Sequence, residues 1–136
     1  MNNRVIPVLL RLASAGAVIA TLVHVTALAV PSFNDTIYSA TYPWWRHVIF
    51  IGINATLAWL LPNPPSWFVW PYAVLTLQVL QSHGLGGFRE WQRTGRANWI
   101  DVVSVIAVPL LLAVLVVERR RRAAVERSSR TSLTQI

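Results

Sequence analysis

Cysteine is absent from this 136-residue chain, and so is lysine. Without a thiol, the chain can form no disulfide framework, no thiolate metal site and no thiol–disulfide redox centre. All twelve basic residues are arginine, which we interpret as the coding bias of a GC-rich bacterial genome. Charged residues make up only 12 % of the chain, whereas soluble domains carry about 25 %. This shortage of charge argues against a soluble globular protein.

Motifs with a known catalytic chemistry are also absent. The sequence contains no nucleotide-binding, kinase, protease or redox signature, and no two histidines have the HxxxH or HExxH spacing of a one-helix metal site. We therefore predict a protein without enzymatic activity. The net charge of +7 does not indicate nucleic-acid binding, because the arginine run 119–122 directly follows an apolar stretch, where a membrane anchor is expected.

What the sequence does have is apolar length. The four apolar stretches run about 8–30, 44–61, 67–82 and 98–117. A helix needs roughly 20 residues to cross a hydrocarbon layer about 30 Å thick. The pattern predicts an all-α fold, an integral membrane four-helix bundle with short loops that occupies residues 1–124, followed by a polar cytoplasmic tail at 125–136. Ala27–Ala29 has the small residues of a signal-peptidase site, but the apolar run is long for a signal sequence, so we predict a retained first helix.

The arginines predict the orientation. Eight of the twelve arginines lie near the two ends of the chain, before or just inside the first apolar stretch and after the last. The other four lie in the loops that face the opposite side of the membrane. The positive-inside rule then places both termini in the cytoplasm and the protein in the bacterial inner membrane. Aromatic and basic residues are predicted at the lipid interfaces, with anionic lipids among the partners. These residues are Trp44, Trp45, Arg46, Trp67, Trp70, Trp99, Arg119, Arg120, Arg121 and Arg122.

Small residues predict how the first helix packs. Ala13, Ala17 and Ala20 share one face, which continues to His24, and small side chains let membrane helices approach closely. We therefore expect Ala17 to contact another helix and His24 to face protein with a hydrogen-bond partner, Asn54, Gln78 or Asp101. The turn Pro62–Pro65 predicts a close antiparallel hairpin between the second and third helices.

Ionisable groups from all four helices are expected near the outer side of the membrane, the side opposite the cytoplasm. They are His24, His47, His83 and Asp101. Intramembrane polar groups are costly and usually face the bundle or a wet cavity, so the sequence predicts a polar pocket there. Three histidines and a carboxylate could hold zinc or copper, two histidines could ligate a haem, and a histidine with an aspartate could relay protons. Hydrogen bonding between helices is the alternative.

Two functional hypotheses follow from these features. The first is a non-catalytic accessory or scaffold subunit of a larger bacterial membrane complex, respiratory or photosynthetic, since the chain has little mass outside its apolar stretches and many aromatic residues. Its partners would be other membrane subunits. The second is a small metal- or haem-binding membrane protein that uses the outer histidine and aspartate cluster.

Overall fold

The secondary structure in the described part of the chain is helical, as the apolar pattern predicts. The computed structural model describes residues 5–30, 32–33 and 43–133, with side chains to residue 129. No strand occurs within these ranges. The helices are α1 (Val5–Ala29), α2 (Trp44–Leu60), α3 (Val69–Val79), α4 (Gly86–Thr94) and α5 (Trp99–Leu133), with a 3₁₀ turn (Ser66–Phe68) before α3 and a π-helical turn (Leu80–Leu85) between α3 and α4.

Two of these helices are long and apolar enough to cross a membrane. They are α1 and the part of α5 from Trp99 to Ser129. Few of their residues are buried inside the protein, and large apolar side chains such as Leu12 and Ile19 are 63 % exposed. A water-soluble monomer rarely exposes continuous apolar faces of this size, so the exposure is consistent with a lipid environment.

The helices pack as two antiparallel pairs. The most extensive interface joins α1 to α2, and the second joins α3 and the π-helical turn to α5. The register of the first pair follows from two contacts: Ser14 Oγ donates to the Ala58 carbonyl at 2.6 Å, and His24 lies beside His47. Ala17 lies between these contacts and is only 7 % exposed, which confirms the predicted small-residue contact face.

The buried core lies at one end of the molecule. It is formed by Ile6, Leu10, Leu61, Phe68, Val69, Tyr72 and Leu115. These residues come from the start of α1, the end of α2, the start of α3 and the part of α5 just before the arginine run, so we call this the arginine end. The opposite end, at which the three histidines lie, is the histidine end. The two helix pairs are joined mainly through the core at the arginine end.

The predicted close hairpin between α2 and α3 was wrong. The proline turn does reverse the chain, but α2 and α3 do not pack along their length, and a groove of about 860 Å³ separates them. The physical reason lies in side-chain size. The small face of α1 around Ala17 lets α1 pack along α2, whereas α2 and α3 present larger side chains such as Phe50 and Tyr72 to the groove.

Two helices extend beyond the apolar stretches that predicted them. The helix of the third stretch continues through the π-helical turn into α4, which lies between the third and fourth apolar stretches. α4 ends before Gly95, where φ is +70°. A left-handed residue of this kind commonly ends a helix, and glycine adopts it without a steric penalty. The last helix continues past the apolar stretch, so the polar segment is helical up to Leu133.

Candidate functional site

His24 and His47 form a pair between α1 and α2. Their Nδ1 atoms are 3.1 Å apart, and the ring of Phe50 stacks on His24 with 5.3 Å between centroids. An N–H···N hydrogen bond needs one protonated and one bare nitrogen, so at most one of the two Nδ1 atoms carries a proton. The expectation that His24 faces protein and has a partner is confirmed. The partner in the structure is His47, and not one of the three expected residues, Asn54, Gln78 or Asp101.

His83 and Asp101 form a second pair between the π-helical turn and α5. Nδ1 of His83 lies 2.7 Å from a carboxylate oxygen of Asp101, and Asp101 is only 9 % exposed. A π-helical turn inserts an extra residue into a helix and is frequent at functional sites. Here it lies at the end of the third apolar stretch and carries His83, which thereby meets the first turn of α5.

Gly87 is a part of this site that sequence reasoning missed. A Cβ atom at Gly87 would lie 2.8 Å from Oδ2 of Asp101 and 3.0 Å from its Cβ, closer than side chains tolerate. Glycine therefore lets the start of α4 lie directly against the Asp101 side chain. The neighbouring Gly86 has open space at the same position. A glycine pair gives no signal in the sequence for which member makes the close approach.

His24, His47 and His83 line one cavity between the two helix pairs, and Asp101 lies behind His83. The volume of the cavity is about 580 Å³, and most of its lining is aliphatic or aromatic. It extends along α1 from Ala13 to His24, which corresponds to about 16 Å at 1.5 Å per residue. Its polar lining groups are His24, His47, His83, Asn54, Ser104, Arg46 and Tyr72. Most of these lie toward the histidine end, whereas the arginine end of the cavity is closed by the core.

The predicted ligand set divides into two pairs. Among the described residues, no three histidine, aspartate or glutamate side chains lie close enough together to hold a metal ion. His24 and His47 are bonded to each other on one wall, and His83 is bonded to Asp101 on another. The arrangement does not bring the residues together as the tetrahedral zinc or copper site, or the two-histidine haem site, that the sequence suggested. Those sites remain predictions.

The candidate interface residues lie at the surface. Trp44, Trp70 and Trp99 are 64–80 % exposed, and Arg119 lies over the Trp70 ring at 5.5 Å from its centroid. Sequence reasoning missed Glu118 here. Its carboxylate is 3 % exposed and binds the two arginines that follow in the next turn, Arg121 and Arg122, at 2.8 and 2.7 Å.

This acidic residue changes the role of the arginine run. Arg122 also donates from Nη1 to the Pro64 carbonyl at 3.3 Å, so it joins α5 to the proline turn. Part of the run therefore holds the arginine end of the bundle together, and Arg119 and Arg120 have exposed positions that lipid phosphate can reach.

On α4, Phe88 and Trp91 lie together with ring centroids 5.8 Å apart, since residues three apart on a helix share a face. Arg93 forms two-pronged hydrogen bonds with Glu90 at 2.8–3.1 Å. The hydrogen bond to this carboxylate, with its negative charge, raises the pKa of Arg93 above its ordinary value. α4 therefore presents an aromatic pair beside a compensated ion pair.

Comparison with known proteins finds no family model, no curated protein and no solved structure that matches the chain.

Proposed function

We propose that this chain is a four-span protein of the bacterial inner membrane that binds a lipophilic small molecule in the cavity between its two helix pairs. The carrying observation is the cavity itself: an apolar crevice of about 580 Å³ with three imidazoles, of His24, His47 and His83, toward one end. Ligand sites commonly have volumes of about 300–1,000 Å³, apolar walls and a few polar groups that orient the ligand.

The shape of the cavity favours an elongated amphiphile. A chamber about 16 Å long with aliphatic walls suits an apolar body, and the imidazoles suit a hydrogen-bonding head group at the histidine end. This proposal develops the ligand-binding alternative drawn from the sequence, with an organic molecule in place of a metal or haem. The reason is that His24 is bonded to His47, and His83 separately to Asp101.

The membrane orientation belongs to the same proposal. With both termini in the cytoplasm, the arginine end lies inside and the histidine end outside, so the ligand head group is on the periplasmic side. Support comes from the arginines at the ends of α1 and α5 and from the exposed tryptophans at both ends of the molecule.

A cavity-filling substitution tests the proposal. Ala107 and Ala113 are both exposed on α5, but only Ala107 lines the cavity. Ala107→Trp should remove lipophilic molecules that co-purify with the protein, and Ala113→Trp should retain them. Native mass spectrometry and solvent extraction after mild detergent purification measure the bound molecules. Equal ligand content in the two variants, or none in the wild-type protein, would contradict the proposal.

A second function, the accessory subunit, is favoured by one specific observation. The groove of about 860 Å³ between α2 and α3 is lined by residues such as Ile49, Ile53 and Val74, and neither helix fills it. We propose a transmembrane helix of a partner subunit as its occupant, since two helices already form its walls.

A site-specific photo-crosslinker can test this second function. Val74 lines the groove and Leu77 on the same helix does not, yet both are 68 % exposed. A crosslinker at position 74, but not at position 77, should attach to one defined membrane protein in stoichiometric yield. Equal labelling at both positions, or labelling by lipid alone, would argue against a partner helix in the groove.

A further inference from the structure

The His83–Asp101 pair determines which nitrogen of His83 is available to a ligand. An ionised carboxylate only accepts hydrogen bonds, so Nδ1 of His83, at 2.7 Å from Asp101, carries the proton and donates. In the neutral imidazole Nε2 is then a bare acceptor. Within the described part of the chain, His83 makes no other hydrogen bond, and it lines the cavity. The pair therefore presents a hydrogen-bond acceptor to whatever fills the cavity.

The position of Asp101 supports this assignment. It lies in the first turn of α5, where the partial positive charge of the helix N-terminus stabilises a carboxylate. Gly87 packs against the same side chain, beside Oδ2, whereas His83 bonds to Oδ1. An ionised, confined carboxylate holds an imidazole in one tautomer and one orientation.

We propose that His83, oriented by Asp101, accepts a hydrogen bond from a hydroxyl group of the bound lipophile, so that the cavity selects phenol-, quinol- or alcohol-type head groups over ethers and hydrocarbons. This inference rests on the ligand-binding function proposed above. His83 binds the ligand directly, and Asp101 and Gly87 are positioning residues. A ligand without a donor would leave Nε2 unsatisfied in an apolar chamber, which costs binding energy.

The chemistry of the opposite wall is consistent with this choice. His24 and His47 already bond to each other through their Nδ1 atoms, and Phe50 covers the His24 ring. His83 thus differs from the other two histidines because its partner is a carboxylate, which makes it the strongest acceptor of the three.

A matched pair of probes measures the preference. The probes are 2-naphthol and 2-methoxynaphthalene. They share a ring system, but in the ether a methyl group replaces the hydroxyl proton, so only 2-naphthol can donate a hydrogen bond. Binding to protein in nanodiscs is measured by equilibrium dialysis, with empty nanodiscs as the reference for partition into lipid. We expect wild-type protein to bind 2-naphthol about five- to tenfold more tightly than the ether, which corresponds to roughly 1–1.4 kcal/mol, the net strength of one hydrogen bond.

Substitutions then locate the acceptor. His83→Leu should make the two probes bind equally. Gly87→Ala should reduce the preference without altering His83, because its new methyl group displaces the Asp101 carboxylate. Gly86→Ala is the control, since a Cβ there meets open space and should leave the preference unchanged. If His83→Leu fails to fold by circular dichroism and gel filtration, the comparison of the two glycine variants decides the matter.

The outcomes separate this inference from the function on which it rests. If neither probe binds above the empty-nanodisc level, or Ala107→Trp displaces neither, the ligand-binding function fails. If both probes bind and Ala107→Trp displaces both, but they bind equally or the preference survives His83→Leu, the function stands and the role of His83 is overturned. A preference of about five- to tenfold that both His83→Leu and Gly87→Ala reduce, and Gly86→Ala does not, supports the assignment.

Discussion

Replacing Ala17 with leucine should destabilise the fold, because Ala17 is buried on the face of α1 that packs along α2, although it also borders the cavity. It is 7 % exposed and lies along α1 between Ser14 and His24, whose side chains contact α2 by hydrogen bonds. Leucine adds three carbon atoms at this interface. Overpacking of this kind costs about 1–3 kcal/mol, which is a change of roughly 5- to 150-fold in the folding equilibrium.

The matched control is Ala15→Leu on the exposed face of α1. It adds the same volume, but into lipid or detergent, so its stability should stay within about 0.5 kcal/mol of wild type. The assay is reversible unfolding by sodium dodecyl sulfate in mixed micelles, followed by tryptophan fluorescence and circular dichroism. If the two variants unfold at the same detergent fraction, the inference that α1 and α2 pack through a small-residue face would be refuted.

Two further predictions concern the arginine end. A reporter fused after Ile136 should be active only in the cytoplasm, and periplasmic activity would overturn the proposed orientation together with the outer position of the histidines. Glu118→Gln should lower the free energy of unfolding by about 1 kcal/mol, because a buried carboxylate loses its charge-assisted bonds to Arg121 and Arg122, while Glu126→Gln on the exposed part of α5 should be neutral in the same detergent titration.

The cavity lies between the two helix pairs, beside the core that joins them. The core residues join the pairs at the arginine end, and the cavity extends from there toward the histidine end. A tightly packed four-helix bundle would have filled this space with side chains at the density of a protein interior. The small residues on α1 serve its contact with α2 and leave the facing side of the chamber open.

Much of the site could be anticipated from the periodicity of the chain. The residues His24, His47, His83 and Asp101 were expected toward one end, since each lies near the same end of its apolar stretch. Their division into two pairs could not be anticipated. The partner of His24 depends on the register between α1 and α2, and that register is set by non-local contacts such as Ser14 with Ala58.

The π-helical turn and the burial of Glu118 could not be predicted from the sequence either. A π-helical turn of six residues is too short to give a periodic pattern in the sequence. Its extra residue is favourable only when contacts with a neighbouring helix stabilise it, here the contact between His83 and Asp101. Glu118 looked like one acidic residue before an arginine run, and its burial depends on where the proline turn places Pro64 beside Arg122.

By itself, the sequence determined the helical fold, the shortage of charge, the apolar lengths and the end at which the ionisable residues gather, because these depend on composition and on residues close together in the chain. Only the tertiary structure decided that α1 pairs with α2 instead of α2 with α3, that a cavity opens between the pairs, and that Gly87 confines Asp101. The physical reason is that helix pairing and register depend on the fit of side chains distant in sequence, which local periodicity does not record.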